Sequence, residues 1–221
     1  MRYYPQRIAW AVRQWTRRWQ RWRTHLSANS PTYWSDFLWL TLDLFFVPDV
    51  YELFAVALAP NIRSLTSEEI TLARCVYGDS LPYALVRLDE RAVLGTRRYA
   101  IAYVSFLTVN SYGTIGPTLL MHELIHCWQY THRGAAYIPR ALWAQRTAFG
   151  YDYRGVAHLR TLGHFFELNY EQQGDVVSDF YRLSAGESPR WGRATGGDLP
   201  VYADLLADLQ NGKKQTVYGE V

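Results

Sequence analysis

The segment from Leu119 to Trp128 constrains the fold of this chain more than any other. Seven of its ten residues are apolar, and they surround His122, Glu123 and His126. A run of this kind predicts a buried helix over residues 118–130. Three ionisable groups inside a buried helix are unfavourable unless something compensates them, and a bound metal ion does so. The chain is therefore expected to fold with a polar centre inside an apolar core.

The same segment contains the HExxH motif His122-Glu123-Leu124-Ile125-His126. Residues four apart on a helix project to the same side, so both imidazoles can bind one zinc ion at about 2.0–2.1 Å. Glu123 lies about 100° around the helix from His122. There it can take the proton of a water whose pKa zinc lowers to about 7. The motif predicts one zinc ion held by both histidines, with Glu123 as general base.

A catalytic zinc site needs a third protein ligand. The candidates are Glu171, His132, His164 and Asp175. His132 would complete the outline HExxHxxGxxH, but Gln129 stands where that pattern has glycine, and no methionine follows His132. Glu171 is favoured because it lies four residues before Asp175 on a helix predicted over 168–184. Glu171 can then bind zinc while Asp175 accepts a hydrogen bond from a ligating histidine. The alternative is a solvated acidic helix N-terminus.

At this point the sequence resembles a known family. HELIH followed by an ExxxD helix resembles the gluzincin pattern of thermolysin-like peptidases. The strings HELIHCWQY (122–130) and YEQQGDVVSDFY (170–181), with a weaker match at 65–78, resemble the metallopeptidase effector domains at the C-terminus of type VI secretion spike (VgrG) proteins. The resemblance spans residues 64–184. It implies zinc on His122, His126 and Glu171, in an antibacterial toxin exported by type VI secretion to a competitor's periplasm.

The resemblance has two departures. Gly174 stands where a small helix-forming residue such as alanine is expected, which costs the helix up to about 1 kcal/mol and is expected to leave the chemistry intact. The chain also lacks a spike domain, which leaves the delivery route open. The implied partners are a peptide or protein substrate and a secretion spike or immunity protein.

The first 25 residues differ in charge from the rest. They carry seven arginines and no acid, whereas the remaining residues have a net charge of −4. Residues 6–26 predict an amphipathic helix with one narrow apolar stripe. The stripe consists of Ile8, Val12, Trp15, Trp19, Trp22 and Leu26. We expect the stripe to pack on the body or on a partner, with arginines reaching water or pairing with acidic groups. A membrane surface is the less favoured interpretation, and nucleic acid is not expected without a base-reading motif.

The chain divides into this arm (residues 1–30) and an α+β, zincin-like metallopeptidase domain (31–221), mostly helical with a small sheet. Asn29, Ser30 and Pro31 form the break. Apolar helices are predicted within 34–58, a helix to Tyr77 from the capping box of Thr66 and Glu69, strands at 84–89 and 99–109, and further helices at 137–148 and 199–210. No signal peptide or membrane span is recognised, so the protein is expected to be soluble.

The predicted function is hydrolysis of peptide bonds by a zinc metallopeptidase. The alternative is a non-catalytic zinc-containing binding or adaptor module of a secretion or toxin system, with a cytoplasmic location as the alternative to export. The strand at 99–109 either binds extended substrate at a sheet edge or belongs to the core. The candidates for stabilising the oxyanion are Tyr151, Tyr153 and His164.

Overall fold

Helices dominate the part of the chain that the computed structural model describes, which is residues 3–27, 31–59, 61–93, 96–99 and 101–210. The α-helices are α1 (Tyr3–His25), α2 (Tyr33–Leu44), α3 (Val47–Leu58), α4 (Ser67–Tyr77), α5 (Thr96–Tyr99), α6 (Pro117–Arg133), α7 (Tyr137–Ala144), α8 (Gly155–Leu159), α9 (Tyr170–Ser184) and α10 (Leu199–Gln210). The break predicted at Asn29 and Ser30 lies outside the described residues. The division at residue 30 stays a prediction.

Within the described residues, four short strands form one mixed sheet, which confirms the α+β class. They are β1 (Arg63–Ser64), β2 (Arg87–Asp89), β3 (Tyr103–Ser105) and β4 (Thr108–Asn110). Their order is β1-β2-β4-β3, in which β2 and β4 run parallel and the other two pairs are antiparallel. β3 therefore lies at an edge of the described sheet.

The strand predicted at 99–109 is instead a hairpin, because the chain reverses at Phe106. This residue has a φ of 60° in the left-handed region. Tyr137 holds the turn from α7: its hydroxyl accepts the N–H of Phe106 (3.0 Å) and donates to the carbonyl of Val104 (2.8 Å). Residue 100, within the predicted strand, lies outside the described residues. The strand predicted at 84–89 is shorter than expected and is reduced to β2.

Local signals account for some of the helix ends. The capping box is confirmed, since Thr66 Oγ1 accepts the N–H of Glu69 (3.2 Å) and the Glu69 carboxylate accepts the N–H of Thr66 (2.7 Å). The apolar segment at 34–58 forms two helices, which separate at Phe46, another left-handed residue with a φ of 61°. The helix predicted at 137–148 ends earlier, as α7.

The core lies around α6. Leu120, Met121, Leu124 and Ile125 are buried, and α6 packs between the hairpin of β3 and β4 and the long face of α9. The Tyr77 hydroxyl of α4 donates to the carbonyl of Met121 (2.7 Å), which fixes α6 from a third direction. Among the described residues, no helix combines the length and the apolar character that a bilayer crossing requires.

The amphipathic helix α1 packs on α2 and α3 with the face opposite to the predicted one. Arg7 and Arg18 are buried, whereas the apolar stripe is exposed except for the partly buried Trp22. Arg7 pairs with Glu52 (Nη2–Oε2 2.9 Å), and Arg18 pairs with Asp49 (Nη1–Oδ2 2.5 Å). The prediction that the stripe packs on the body was wrong, and packing on a partner stays a prediction. The predicted pairing of arginines with acidic groups is confirmed. Acidic groups buried on α2 and α3 require cations, so the arginines face inward.

Candidate metal centre

The predicted ligands come together where α6 crosses the first turn of α9. Pro117 occupies the first turn of α6, where its missing N–H costs nothing. Asn169 begins α9, because its side-chain oxygen accepts the N–H groups of Glu171 and Gln172, both at 2.9 Å. This cap places Glu171 in the first turn of α9. The two helices form an extensively packed pair, so the HExxH face of α6 and the start of α9 meet.

His122, His126 and Glu171 form a buried group of possible metal ligands whose ligand atoms all lie within 4.8 Å of one another. Nε2 of His122 lies 3.4 Å from Oε2 of Glu171, and Nε2 of His126 lies 3.7 Å from the same oxygen. Ligand atoms at about 2.0–2.1 Å from a tetrahedral zinc ion are about 3.3 Å apart. The spacing of these three side chains therefore fits one such ion.

Both imidazoles are oriented by a hydrogen bond at the other ring nitrogen. Nδ1 of His122 lies 2.9 Å from Oδ1 of Asp175, and Nδ1 of His126 lies 2.8 Å from Oε1 of Gln129. A carboxylate oxygen and an amide oxygen only accept, so each Nδ1 carries the proton. Each Nε2 then presents its lone pair to the common point, which is the usual arrangement around a bound metal.

Glu171 is fixed in the same way through its second oxygen. Gln145 donates from Nε2 to Oε1 of Glu171 at 2.9 Å, which leaves Oε2 for a cation. Burial raises the pKa of the Glu171 carboxyl, but nearby His126 and the hydrogen bond with His122 outweigh it and hold that pKa below its usual range. The side chain is thus an ionised carboxylate at neutral pH, as a metal ligand must be.

Glu123 lies beside this group on α6 and is buried, with 4% of its surface exposed. Burial raises the pKa of its carboxyl, and the charges of His122 and His126 only partly offset that effect. A carboxylate with a raised pKa is a stronger base, which suits proton transfer near neutral pH. Without a bound metal ion, burial lowers the pKa of His122, but its hydrogen bonds with Asp175 and Glu171 raise it overall, to about 10; a metal ion that binds Nε2 must therefore displace a proton from that nitrogen.

Gly174 is required by this geometry, contrary to the expectation that alanine would serve as well. A Cβ atom at this position would lie 2.5 Å from Cε1 and 2.6 Å from Nδ1 of His122. Contacts this short force the ring to move. Glycine has a low helix propensity, but it fits at position 174 because the imidazole of His122 packs against the helix backbone there.

The other candidates for the third ligand have different contacts in the structure. His132 stacks on Trp128, with ring centroids 4.1 Å apart, and donates from Nδ1 to the carbonyl of Trp128 (2.9 Å). Burial lowers the pKa of His132 to about 4. His164 is more than half exposed in its side chain and lies 3.9 Å from Glu167. Asp175 contacts the back of His122, on the side away from Glu171.

The two tyrosine candidates for stabilising the oxyanion have different surroundings. Tyr153 is fully buried, and its hydroxyl donates to Asp179 (2.7 Å) and lies 2.8 Å from the hydroxyl of Tyr202. Its contacts are those of a structural residue. Tyr151 is half-buried and its ring centroid lies 6.0 Å from that of His122. Of the two tyrosines, Tyr151 is therefore the one beside the metal centre.

Several residues around the centre are not identified by sequence reasoning. In the sequence, Gln129 is notable only because it stands where the metzincin pattern has glycine. In the structure it orients His126, and its Nε2 donates to Gln173 Oε1 and to the carbonyl of Tyr170, both at 3.0 Å. The spacing of three residues between His126 and Gln129 is a signal that would have found it. Gln145 carries no such signal, because it approaches from the end of α7.

Comparison with known proteins gives one distant similarity. The chain is 29% identical over 167 residues to the type VI secretion system spike protein VgrG2b of Pseudomonas aeruginosa, an alignment that covers 68% of this chain and 15% of that protein. The chain therefore spans a small part of the length of this relative. No protein-family model matches the chain. No solved structure matches it either.

Proposed function

We propose that this protein is a zinc-dependent metallopeptidase with a zincin-like fold that acts as an antibacterial effector of type VI secretion. One observation carries the proposal: two imidazoles and one carboxylate are buried, separately oriented and aimed at a single point. The distant similarity to a type VI secretion spike protein supports a role related to that secretion system. Export to the periplasm of a target cell is part of the proposal.

The residues present fit a zinc ion, since nitrogen and oxygen donors at this spacing are its usual protein ligands. His122, His126 and Glu171 would hold it, and the bound ion would supply an electrophile and lower the pKa of a water. Glu123 takes the proton of the attacking water. Asp175 and Gln129 keep the imidazoles in one tautomer and orientation, so the base and the ligands stay aligned.

Tyr151 is the candidate donor to the oxyanion that forms at the scissile carbonyl. Burial raises the pKa of its hydroxyl, and Glu171 and Glu123 raise it further, so the group stays protonated and able to donate. The edge strand β3 packs against α6, and an extended peptide would add to the sheet at this edge. Substrate would then lie along β3 and across α6.

The test combines metal analysis with the substitution Glu123→Gln. We expect the purified wild type to contain about one zinc per chain, and the variant to keep that zinc while losing peptide hydrolysis and toxicity in a bacterial periplasm. Glu187→Gln, which removes an exposed carboxylate, is the matched control and should behave as wild type. A Glu123→Gln variant with full toxicity would contradict catalysis and favour the non-catalytic zinc-containing module.

A further inference from the structure

Helices α2 and α3 bury their charged side chains and expose apolar ones, the reverse of the usual pattern in a soluble protein. All four acidic residues of the range 31–59 are buried, and this range contains no lysine or arginine. They are Asp36, Asp43, Asp49 and Glu52. The exposed residues in the same range are Pro31, Trp34, Leu38, Phe45, Val47, Val50, Tyr51, Phe54, Ala57 and Leu58. The large side chains among them are 45% to 80% exposed. This part of the chain thus buries its charges and presents apolar groups outward.

Helix α1, which packs on α2 and α3, also exposes an apolar stripe. Its apolar stripe includes Trp15 and Trp19, which are 49% and 43% exposed and whose rings stack with centroids 6.5 Å apart. The exposed charged residues of α1 are Arg13, Arg17 and Arg23. We call the exposed side chains of α1, α2 and α3 the outer face. Within the described ranges 3–27 and 31–59, every charged side chain on the outer face is basic.

The buried ion pairs explain how a face without acidic groups arises. Arg7 and Arg18 point inward and neutralise Asp49 and Glu52, with Asp43 lying 3.4 Å from Arg18 Nε. The acids are thereby kept from the surface, and the remaining arginines face outward. Exposed apolar side chains in this number, on three helices packed together, mark an interaction site in soluble proteins.

We infer that the outer face binds the surface of an anionic lipid bilayer. Exposed tryptophan, tyrosine and phenylalanine side chains suit the boundary between headgroups and acyl chains, and exposed arginines are attracted to anionic headgroups. Helices α2 and α3 have 12 residues each, about 18 Å, which is too short to cross an apolar layer of about 30 Å. Among the described residues no helix, the 23-residue α1 included, has both the length and the apolar character to cross the layer, so we place the three helices in the plane of the interface.

The charge pattern favours lipid over a protein partner. Protein interfaces commonly surround an apolar centre with a polar rim, and matched potentials across the contact set the register. The outer face combines a broad apolar area over three helices with charges of one sign, which matches a uniformly negative surface. This inference does not depend on catalysis, because none of the residues involved belongs to the metal centre.

The test is co-sedimentation of the full chain with vesicles of phosphatidylcholine alone and of phosphatidylcholine mixed with an equal amount of phosphatidylglycerol. We expect binding to the mixed vesicles and much weaker binding to phosphatidylcholine alone. Phe54→Ser and Val50→Ser should each lower the partition coefficient about tenfold, since each removes an apolar side chain from the contact. Phe149→Ser is the matched control, because Phe149 is 55% exposed outside the outer face.

The arginines are tested separately. Arg13→Gln and Arg17→Gln should each weaken binding to the mixed vesicles about fivefold, whereas Arg146→Gln, exposed on another part of the chain, should not. Circular dichroism on heating checks that each variant stays folded. Failure of the folded wild type to bind mixed vesicles would overturn the inference, as would equal losses for Phe54→Ser and Phe149→Ser. Oligomers that Phe54→Ser converts to monomers, without vesicle binding, would overturn it in favour of a protein interface.

Discussion

The imidazole of His122 rests on the backbone of Gly174, at a distance that leaves no room for a methyl group. The two residues belong to α6 and α9, and the contact limits how closely the helices approach beside the candidate metal centre. The same ring donates to Asp175, the next residue of α9. One turn of α9 therefore determines both the position and the tautomer of His122.

Gly174→Ala should lower zinc affinity about 10-fold to 100-fold, because the added methyl group displaces the His122 ring from its position. Competition with a chromophoric chelator measures the change. Gly196→Ala is the control, since a Cβ atom there meets no other atom within 4 Å. Unchanged zinc affinity in Gly174→Ala would show that His122 does not bind the metal in this orientation.

The two orienting hydrogen bonds give a second prediction. Asp175→Ala and Gln129→Leu should each lower zinc affinity about 10-fold to 100-fold, because each frees one imidazole to rotate or change tautomer. Asp175→Asn retains an oxygen acceptor and should lose less than Asp175→Ala. Gln20→Leu, on the exposed side of α1, serves as the control. The same chelator competition applies, and equal affinities in Asp175→Ala and wild type would contradict an orienting role.

The two tyrosines near α9 should separate catalysis from stability. Tyr151→Phe should reduce kcat about 10²-fold to 10³-fold with little change in zinc content, as expected for loss of an oxyanion donor. Tyr153→Phe should instead lower the free energy of unfolding by about 1–3 kcal/mol, because Asp179 and Tyr202 lose a buried partner. Peptide hydrolysis and urea unfolding measure the two effects. The reverse assignment of effects would contradict both roles.

Arg7 provides a prediction about stability alone. Arg7→Met should lower the free energy of unfolding by about 3–5 kcal/mol, because it leaves Glu52 and Asp49 buried without this cation. Arg17→Met changes an exposed residue of the same helix and should alter stability by less than about 0.5 kcal/mol. Urea unfolding followed by circular dichroism measures both. Similar small effects would indicate that α1 is only loosely attached.

The sequence was informative wherever a local pattern determines the structure. The capping box of Thr66 and the spacing within HExxH are both properties of neighbouring residues. The hairpin could not be predicted, because its reversal at Phe106 depends on Tyr137, which lies 31 residues further along the chain. The strand-forming residues at 99–109 do not by themselves indicate this contact.

The orientation of α1 shows a second reason for failure. Amphipathic pattern alone favours burying the tryptophan stripe, and this holds when the neighbouring surface is apolar. Here the neighbouring surfaces carry Asp43, Asp49 and Glu52, whose positions become known only after α2 and α3 have formed. Similarly, helix propensity alone disfavours Gly174, and the reason for glycine there is evident only from the position of the His122 ring.

Glu52 joins three segments that are far apart in the sequence. One oxygen accepts the N–H of Leu107 in the hairpin (2.6 Å), and the other pairs with Arg7 of α1 (2.9 Å). A change at position 52 therefore alters the charge balance of α1 and the turn before α6 together. Among homologous sequences, we expect positions 7 and 52 to covary, with basic and acidic residues gained or lost as a pair.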